Sequence, residues 1–269
     1  MKPLLFLLAL SLACRAGLTD EPVDDRRLQG ELLKFGEQQL DGGKVTKIDA
    51  LKEQLNRHRC QVALLPASQK VEPLPVAASR VRHGVAVVGS IYKCTKCSKW
   101  HLGAASGFFI SNDGILVTNH HVVATGNKEA LVVLAGDGRM TSVTEVLASD
   151  PVADVAILRC DGTGFPALPL SGETAGGEPV GVWSHPANHF YSLSAGIVAR
   201  RFLFQKPGGP CEALAITADY ARGSSGGPVF DERGNVVGMV ASTDSVYYSE
   251  ENGQQKNLQM VFKNCVSAR

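Results

Sequence analysis

From Gly84 onward, apolar residues come in short runs separated by turn signals. The runs are GVAVVGSIY, ASGFFIS, GILVT, EALVVLAG, SVTEVLAS, DVAILRC, PVGVWS, YSLSAGIVARR, EALAITA, GGPVF, NVVGMVAS and NLQMVF. Branched and aromatic residues dominate them, which suits a pleated, half-buried surface. Asn112-Asp113-Gly114, Gly136-Asp137-Gly138 and Gly234-Asn235 mark hairpin turns between runs. About a dozen such strands in roughly 180 residues predict an all-β barrel or sandwich. A parallel α/β sheet would need crossover helices, and the pattern has none.

Residues 17–80 follow a different period. TDEPVDDRR is a charged, solvated opening, after which Leu28, Leu32, Leu33 and Leu40 predict a helix that Gly42-Gly43 ends. Ile48, Leu51, Leu55 and Val62 then recur at helical spacing. Thr46 and Asp49 predict a capping box at the start of that helix, and Pro66 its end. PASQKVEPLP, with three prolines, reads as a linker. The segment is expected to be a small helical extension; a prosegment or partner-binding arm is the functional alternative.

Composition narrows the setting. The chain has 269 residues, a formal net charge of +1 and 44% hydrophobic residues. It is long enough for a substantial core, and nothing in the charge points to nucleic acid. MKPLLFLLALSLACRAG has a basic start, an apolar run and small residues after it, the pattern of a secretory signal peptide over residues 1–16. Its apolar run is too short to span a bilayer as a stable helix. A second reading takes Cys14 as a lipid-modified residue and possible anchor, because Leu12-Ala13-Cys14 half-resembles a bacterial lipobox. Ser11 stands where that motif prefers a large aliphatic residue. On either reading the protein is exported: periplasmic or secreted, or held at a membrane.

Six of the seven cysteines lie outside the signal: Cys60, Cys94, Cys97, Cys160, Cys211 and Cys265. An even number in an exported chain predicts disulfides, with no pairing specified. Cys94, Cys97 and His101 offer half of a zinc site. Structural zinc takes four ligands, commonly from two such clusters, and no second CxxC exists, so no metal and no cofactor are expected.

RGSSGGPVF, residues 222–230, is the stretch with candidate chemistry. Gly223-Ser224-Ser225-Gly226-Gly227 fits the G-x-S-x-G elbow of α/β-hydrolases, and equally the glycine-serine-glycine-glycine-proline loop of trypsin-like peptidases. An α/β-hydrolase places its histidine after the serine, but none of the seven histidines follows Ser225. The order histidine, aspartate, serine remains open. LVTNHHVV, SDPVADVAILRC and RGSSGGPV fill it.

At this point the chain resembles the trypsin-like serine peptidases, and within them the bacterial HtrA (Deg) branch. The matching segments are SGFFISNDGILVTNHHVV, DPVADVAIL, SLSAGIVARR and ITADYARGSSGGPVFDERGNVVGMV, so the likeness covers about residues 81–264. It implies two six-stranded antiparallel β-barrels with the catalytic residues in the cleft between them. The family histidine directly precedes an aliphatic pair, which selects His121 over His120. Its aspartate directly precedes a strand core, which selects Asp154 over Asp150 and Asp161; Asp150 is expected to form a turn ahead of Pro151. Its serine is the one followed by Gly-Gly-Pro, which is Ser225. The resemblance further implies an oxyanion hole from the backbone N–H groups of Gly223 and Ser225. The peptidase domain is expected over residues 81–269, and its substrates are polypeptides.

Departures from the family pattern matter. Ser224 stands where digestive trypsins carry an aspartate, and there is no Arg-Ile-Val-Gly-Gly start, so zymogen activation of the trypsin kind is not expected. Seven residues follow Phe262 here, and the PDZ domain common among HtrA proteins is not expected. Asp219, six residues before Ser225, stands at the offset of the trypsin pocket aspartate and is a possible selector of basic side chains. His185 and His189 sit in SHPANHF, where Pro186 interrupts any aligning helix, so they read as loop histidines. An exported serine endopeptidase is the leading reading. A catalytically silent relative acting as a binding or anchoring module is the alternative.

Overall fold

The computed structural model describes residues 22–269 apart from Thr95, Gly208 and Asn252. The signal peptide and Cys14 lie outside the described residues. All twelve expected strands are present. The first barrel comprises β1 (Val85–Lys93), β2 (Trp100–Phe109), β3 (Ile115–Thr118), β4 (Ala130–Ala135), β5 (Met140–Asp150) and β6 (Val155–Cys160). The second comprises β7 (Pro179–Ser184), β8 (Ser192–Lys206), β9 (Gly209–Ile216), β10 (Pro228–Phe230), β11 (Val236–Glu251) and β12 (Gln254–Ser267). Each closes on itself, in the orders β1-β2-β3-β6-β5-β4 and β10-β11-β12-β9-β8-β7, with every pairing antiparallel.

The helices explain why β1 and β4 read as unbroken apolar runs rather than alternating ones. In β1, Ala86 and Val88 point into the barrel with Leu116, Val133 and Leu158, while Val85 and Val87 belong to the layer that also holds Leu32. In β4, Leu131 and Val133 face inward while Val132 and Leu134 face that outer layer. Helix α1 (Asp25–Asp41) covers it, so both faces of these strands are dry. Gly36 lets the helix come close, since a Cβ there would lie 2.6 Å from Ile91. Leu32 and Leu51 are fully buried, worth about 2 kcal/mol each. The extension is therefore part of the core of the first barrel.

Its details depart from the sequence pattern. Helix α2 spans only Ile48–Glu53, followed by a 3-10 turn at Gln54–Asn56, well short of Pro66. Thr46 does not cap it: its hydroxyl donates to the Thr144 carbonyl, and Lys47 is the N-cap. The proline-rich stretch is tied down rather than loose. Arg57 pairs with Glu145 of the first barrel at 2.6 Å, and Ser68 exchanges two hydrogen bonds with Asn235 of the second. Helix α3 (Leu74–Arg82) follows, with Pro75 in its first turn, and is braced where the Trp183 indole donates to the Ala78 carbonyl at 2.9 Å. The segment from Arg57 through α3 thus makes contacts with both barrels.

No disulfide joins any two of the six described cysteines. Cys160 is buried in the first barrel and Cys265 in the second, so the fold separates them, and burial pushes both thiols well above their usual pKa, Cys265 to about 12.

Candidate active site

Strand pairing brings the histidine and aspartate together. β3 and β6 run antiparallel with Thr118 opposite Ala156, so the end of one lies beside the start of the other. Immediately after β3, Asn119 precedes the one-turn helix α4 (His120–Ala124), and immediately before β6 stands Asp154. Asp154 has a left-handed backbone, φ 56°, a conformation that aspartate tolerates better than most side chains. Its carbonyl accepts from the Asn119 amide at 2.9 Å, which locks the two segments together. Its carboxylate takes two bonds from His121: Oδ1 accepts from the backbone N–H at 3.0 Å, and Oδ2 lies 2.8 Å from the ring Nδ1. The imidazole is thereby held with Nε2 free.

The neighbouring histidine is engaged elsewhere. His120 Nδ1 lies 2.7 Å from the Ser149 hydroxyl, on the β5 side. Asp150 accepts the backbone N–H groups of Val152 and Ala153 through Oδ1, which makes it a turn former.

Ser225 lies in the loop between β9 and β10, in the second barrel. The two adjacent serines have opposite fates. Ser224 is fully buried, its hydroxyl within 3.0 Å of Ser184 and 3.3 Å of the Ala221 N–H. Ser225 opens onto a cleft of about 750 Å³ that His121 also lines. No hydrogen bond joins Ser225 to His121 among the described residues, and such bonds often tighten only around a substrate. Gly223 has φ +98°, and a Cβ there would lie 2.5 Å from the His185 carbonyl. Ala187 N–H binds the Arg222 carbonyl at 2.7 Å, so the trans peptide turns the Gly223 N–H the other way. Among the described residues, neither Gly223 N–H nor Ser225 N–H has a partner.

One residue that sequence reasoning gave no role aligns the two barrels. Ser106, on β2, donates its N–H to the Ser225 carbonyl at 2.8 Å and its hydroxyl to the Gly223 carbonyl at 3.0 Å. The same hydroxyl accepts the His185 N–H at 3.1 Å. Its place in SGFF was visible, but nothing local says that a strand serine reaches across an interface.

Asp219 does not enter the cleft. Its carboxylate is 92% exposed and pairs with Lys263 at 3.4 Å. Beside Ser225 is a hollow of about 460 Å³ that Lys263 itself lines, its ammonium donating to the Tyr220 carbonyl at 3.0 Å. Pocket selection of basic side chains by Asp219 is therefore not what this geometry provides. Lys128, at the other end of the cleft, is mostly buried and donates to the Val122 carbonyl. Burial, and then repulsion from Lys52, push its ammonium down to about 8.

His185 and His189 do not converge. His189 is exposed and 3.5 Å from Asp25. His185 lies in the loop after β7, as expected, and is wholly buried there, with Phe190 and Tyr191 packing their rings on it edge-on. Its Nδ1 accepts the Tyr191 N–H at 2.9 Å, and burial pushes its pKa down to about 3. Cys94, Cys97 and His101 lie at the tip of the β1–β2 hairpin, where the sulfurs are 3.1 Å apart and Cys97 Sγ is 3.0 Å from His101 Nε2.

Two closed six-stranded barrels, with an imidazole–carboxylate pair on one and a glycine-flanked serine on the other, define the two-barrel serine-peptidase fold. The family model for the trypsin-like peptidase domain matches residues 105–239, half of the chain, and the chain belongs to that family. Among curated relatives, a probable periplasmic serine endoprotease DegP-like from Ectopseudomonas mendocina is 35% identical over 136 residues, covering 50% of this chain and 28% of that one. The putative serine protease HhoA from Synechocystis is 34% identical over 147 residues, covering 51% and 36%. The chain thus spans about a third or less of the length of these relatives. Among solved structures, the HtrA-type protease AlgW with decapeptide has a TM-score of 0.56 at 21% identity, covering 71% of this chain and 62% of that one. At that identity the likeness speaks for the fold alone.

Proposed function

We propose that the chain is an exported serine endopeptidase in which His121, Asp154 and Ser225 form the catalytic triad. The observation that carries this reading is the Asp154-held His121 ring opening onto the same cleft as Ser225. In this scheme the Ser225 hydroxyl attacks the scissile carbonyl while His121 Nε2 takes its proton. The oxygen of the tetrahedral intermediate is stabilised by the unpartnered N–H groups of Gly223 and Ser225, each worth on the order of 3 kcal/mol in such sites. The imidazolium returns the proton to the leaving amine, and water then releases the acyl group by the reverse sequence. Asp154 holds the ring in the tautomer that leaves Nε2 free to accept. Residues 81–269 constitute the peptidase domain and residues 17–80 its brace, with residues 1–16 as the export signal.

Polypeptide substrates are proposed from the open cleft, and by analogy with the solved relative described with a decapeptide. Export is supported by the hydrophobic N-terminus and by the periplasmic designation of the DegP-like relatives. The test is labelling with a fluorophosphonate. Wild type and Ser224→Ala are expected to label, and Ser225→Ala is not. Label retained in Ser225→Ala would refute the nucleophile. A wild-type chain that never labels would favour the silent binding module instead.

A further inference from the structure

The proposed hydrolysis makes no use of the donor set at the tip of the β1–β2 hairpin. Cys94 Sγ, Cys97 Sγ and His101 Nε2 all lie within 4.8 Å of one another. The strand register explains the convergence. Lys93 pairs with Trp100 and Tyr92 with His101, so the cysteines belong to the turn and the histidine stands on the second rung below it. The ring of Tyr92 stacks on His101 with centroids 5.5 Å apart and planes 27° from parallel, which fixes the direction in which the imidazole points. From there Nε2 reaches back to Cys97 at 3.0 Å.

We propose that Cys94, Cys97 and His101 form a three-ligand site for a zinc-class transition metal, with the fourth coordination position open to solvent at the rim of the cleft. Two thiols and an imidazole are the donors such ions favour. With metal–sulfur bonds of about 2.3 Å and metal–nitrogen bonds of about 2.0 Å, tetrahedral ligand atoms stand roughly 3.5–3.8 Å apart. The turn therefore has to open by about 0.5–0.7 Å to admit the ion, a shift open to a surface hairpin on which Cys97 is exposed. Two thiolates and a divalent ion sum to zero charge, so the nearby Lys93, Lys96 and Lys99 do not oppose a cationic site.

A Cys94–Cys97 disulfide would compete for the same sulfurs, but it would give His101 no ligand role. No fourth protein donor joins the three among the described residues, the arrangement of sites that keep an exchangeable position. Tyr92 and Leu102, at and next to the paired rung, line the cleft together with His121 and Ser225. An ion at the turn would therefore stiffen one wall of that cleft.

The test is a metal titration of the reduced full-length chain, read without any peptide substrate and so independent of the proposed hydrolysis. Added Co²⁺ is expected to give the thiolate charge-transfer band and the visible bands of a four-coordinate site at one equivalent, and Zn²⁺ to abolish them. Cys94→Ser, Cys97→Ser and His101→Ala should each weaken Zn²⁺ binding by more than about 10-fold, since losing even an outer-shell partner costs that much. Cys60→Ser should leave it unchanged. A His101→Ala variant that binds as tightly as wild type would overturn the site. So would an exported chain recovered with a Cys94–Cys97 disulfide and no bound metal.

Discussion

Gly226→Ala tests whether the close approach of the two barrels sets the site. Gly226 has φ +89°, and a Cβ built there lies 2.0 Å from the Ser106 carbonyl oxygen and 2.5 Å from Thr118 Oγ1. That oxygen cannot swing aside freely, because it accepts the Thr118 hydroxyl at 2.7 Å. The methyl group must push β2 and the serine loop apart by about 1 Å. The left-handed conformation costs an alanine roughly 1–2 kcal/mol, and overpacking adds about 1–3 kcal/mol. A loss of about 2–5 kcal/mol in unfolding free energy follows, read as a lower urea midpoint. The same displacement moves Ser225 away from His121, for which kcat is expected to fall about 100-fold. Gly30→Ala is the internal control: it sits in α1, exposed, with nothing within 4 Å of the added atom. It should raise stability by roughly 0.5–1 kcal/mol and leave kcat unchanged. If Gly226→Ala matched wild type in both urea midpoint and kcat, the inter-barrel contact would not be what aligns the site.

Asp154→Asn should keep the left-handed backbone and the Oδ1 bond from the His121 N–H while presenting an amide to Nδ1. A roughly 10⁴-fold fall in kcat is expected, as in comparable triads. Asp150→Asn, which keeps its turn-forming oxygen, should change kcat little. His185 has a folded pKa of about 3 against about 6.5 unfolded, so the unfolded chain takes up a proton that the native chain refuses. Its contribution to stability is complete above about pH 6.5 and declines as pH falls toward 3, at up to about 1.4 kcal/mol per pH unit. Urea midpoints from pH 7 to 4 should show this slope, and His185→Gln should reduce it; an unaltered slope would refute the assignment. Lys263 places a cation beside Ser225, so peptides with glutamate before the scissile bond should be cut better than those with lysine. Lys263→Met should shrink that ratio in kcat/KM about 5-fold, for an interaction near 1 kcal/mol. An unchanged ratio would remove Lys263 from the specificity site.

The strands were legible because their apolar runs are short and many are punctuated by turn residues, such as Asn112-Asp113-Gly114, Gly136-Asp137-Gly138 and Gly234-Asn235. The residues of the proposed site stood out through the motifs around His121, Asp154 and Ser225. What stayed hidden depends on distant partners. Helix α3 begins in a proline-rich stretch, and only its contact with Trp183 shows that Pro75 is an opening residue rather than a breaker. Beyond Leu51 the apolar spacing suggested more helix, but Gln54 and Arg57 bond to the first barrel and hold the chain extended after Asn56. β11 and β12 run far past their apolar segments as a hairpin whose outer residues, among them Tyr248 and Leu258, are exposed, so burial left no pattern to read. Asp219 stood at a suggestive offset, yet side-chain direction depends on Lys263, 44 residues later.

Dividing the reacting groups between two barrels sets an order in time. His121 and Asp154 sit beside β3 and β6, strands present once the chain reaches Cys160, whereas the second barrel closes only when β12 pairs with both β9 and β11. A chain emerging from its N-terminus can hold the base and its carboxylate correctly and still have no nucleophile opposite them. Hydrolysis under the proposed scheme therefore begins with the last strand, so a half-made copy is harmless to the machinery that synthesises it. A product terminated before β12 would lack the closed second barrel and cut nothing.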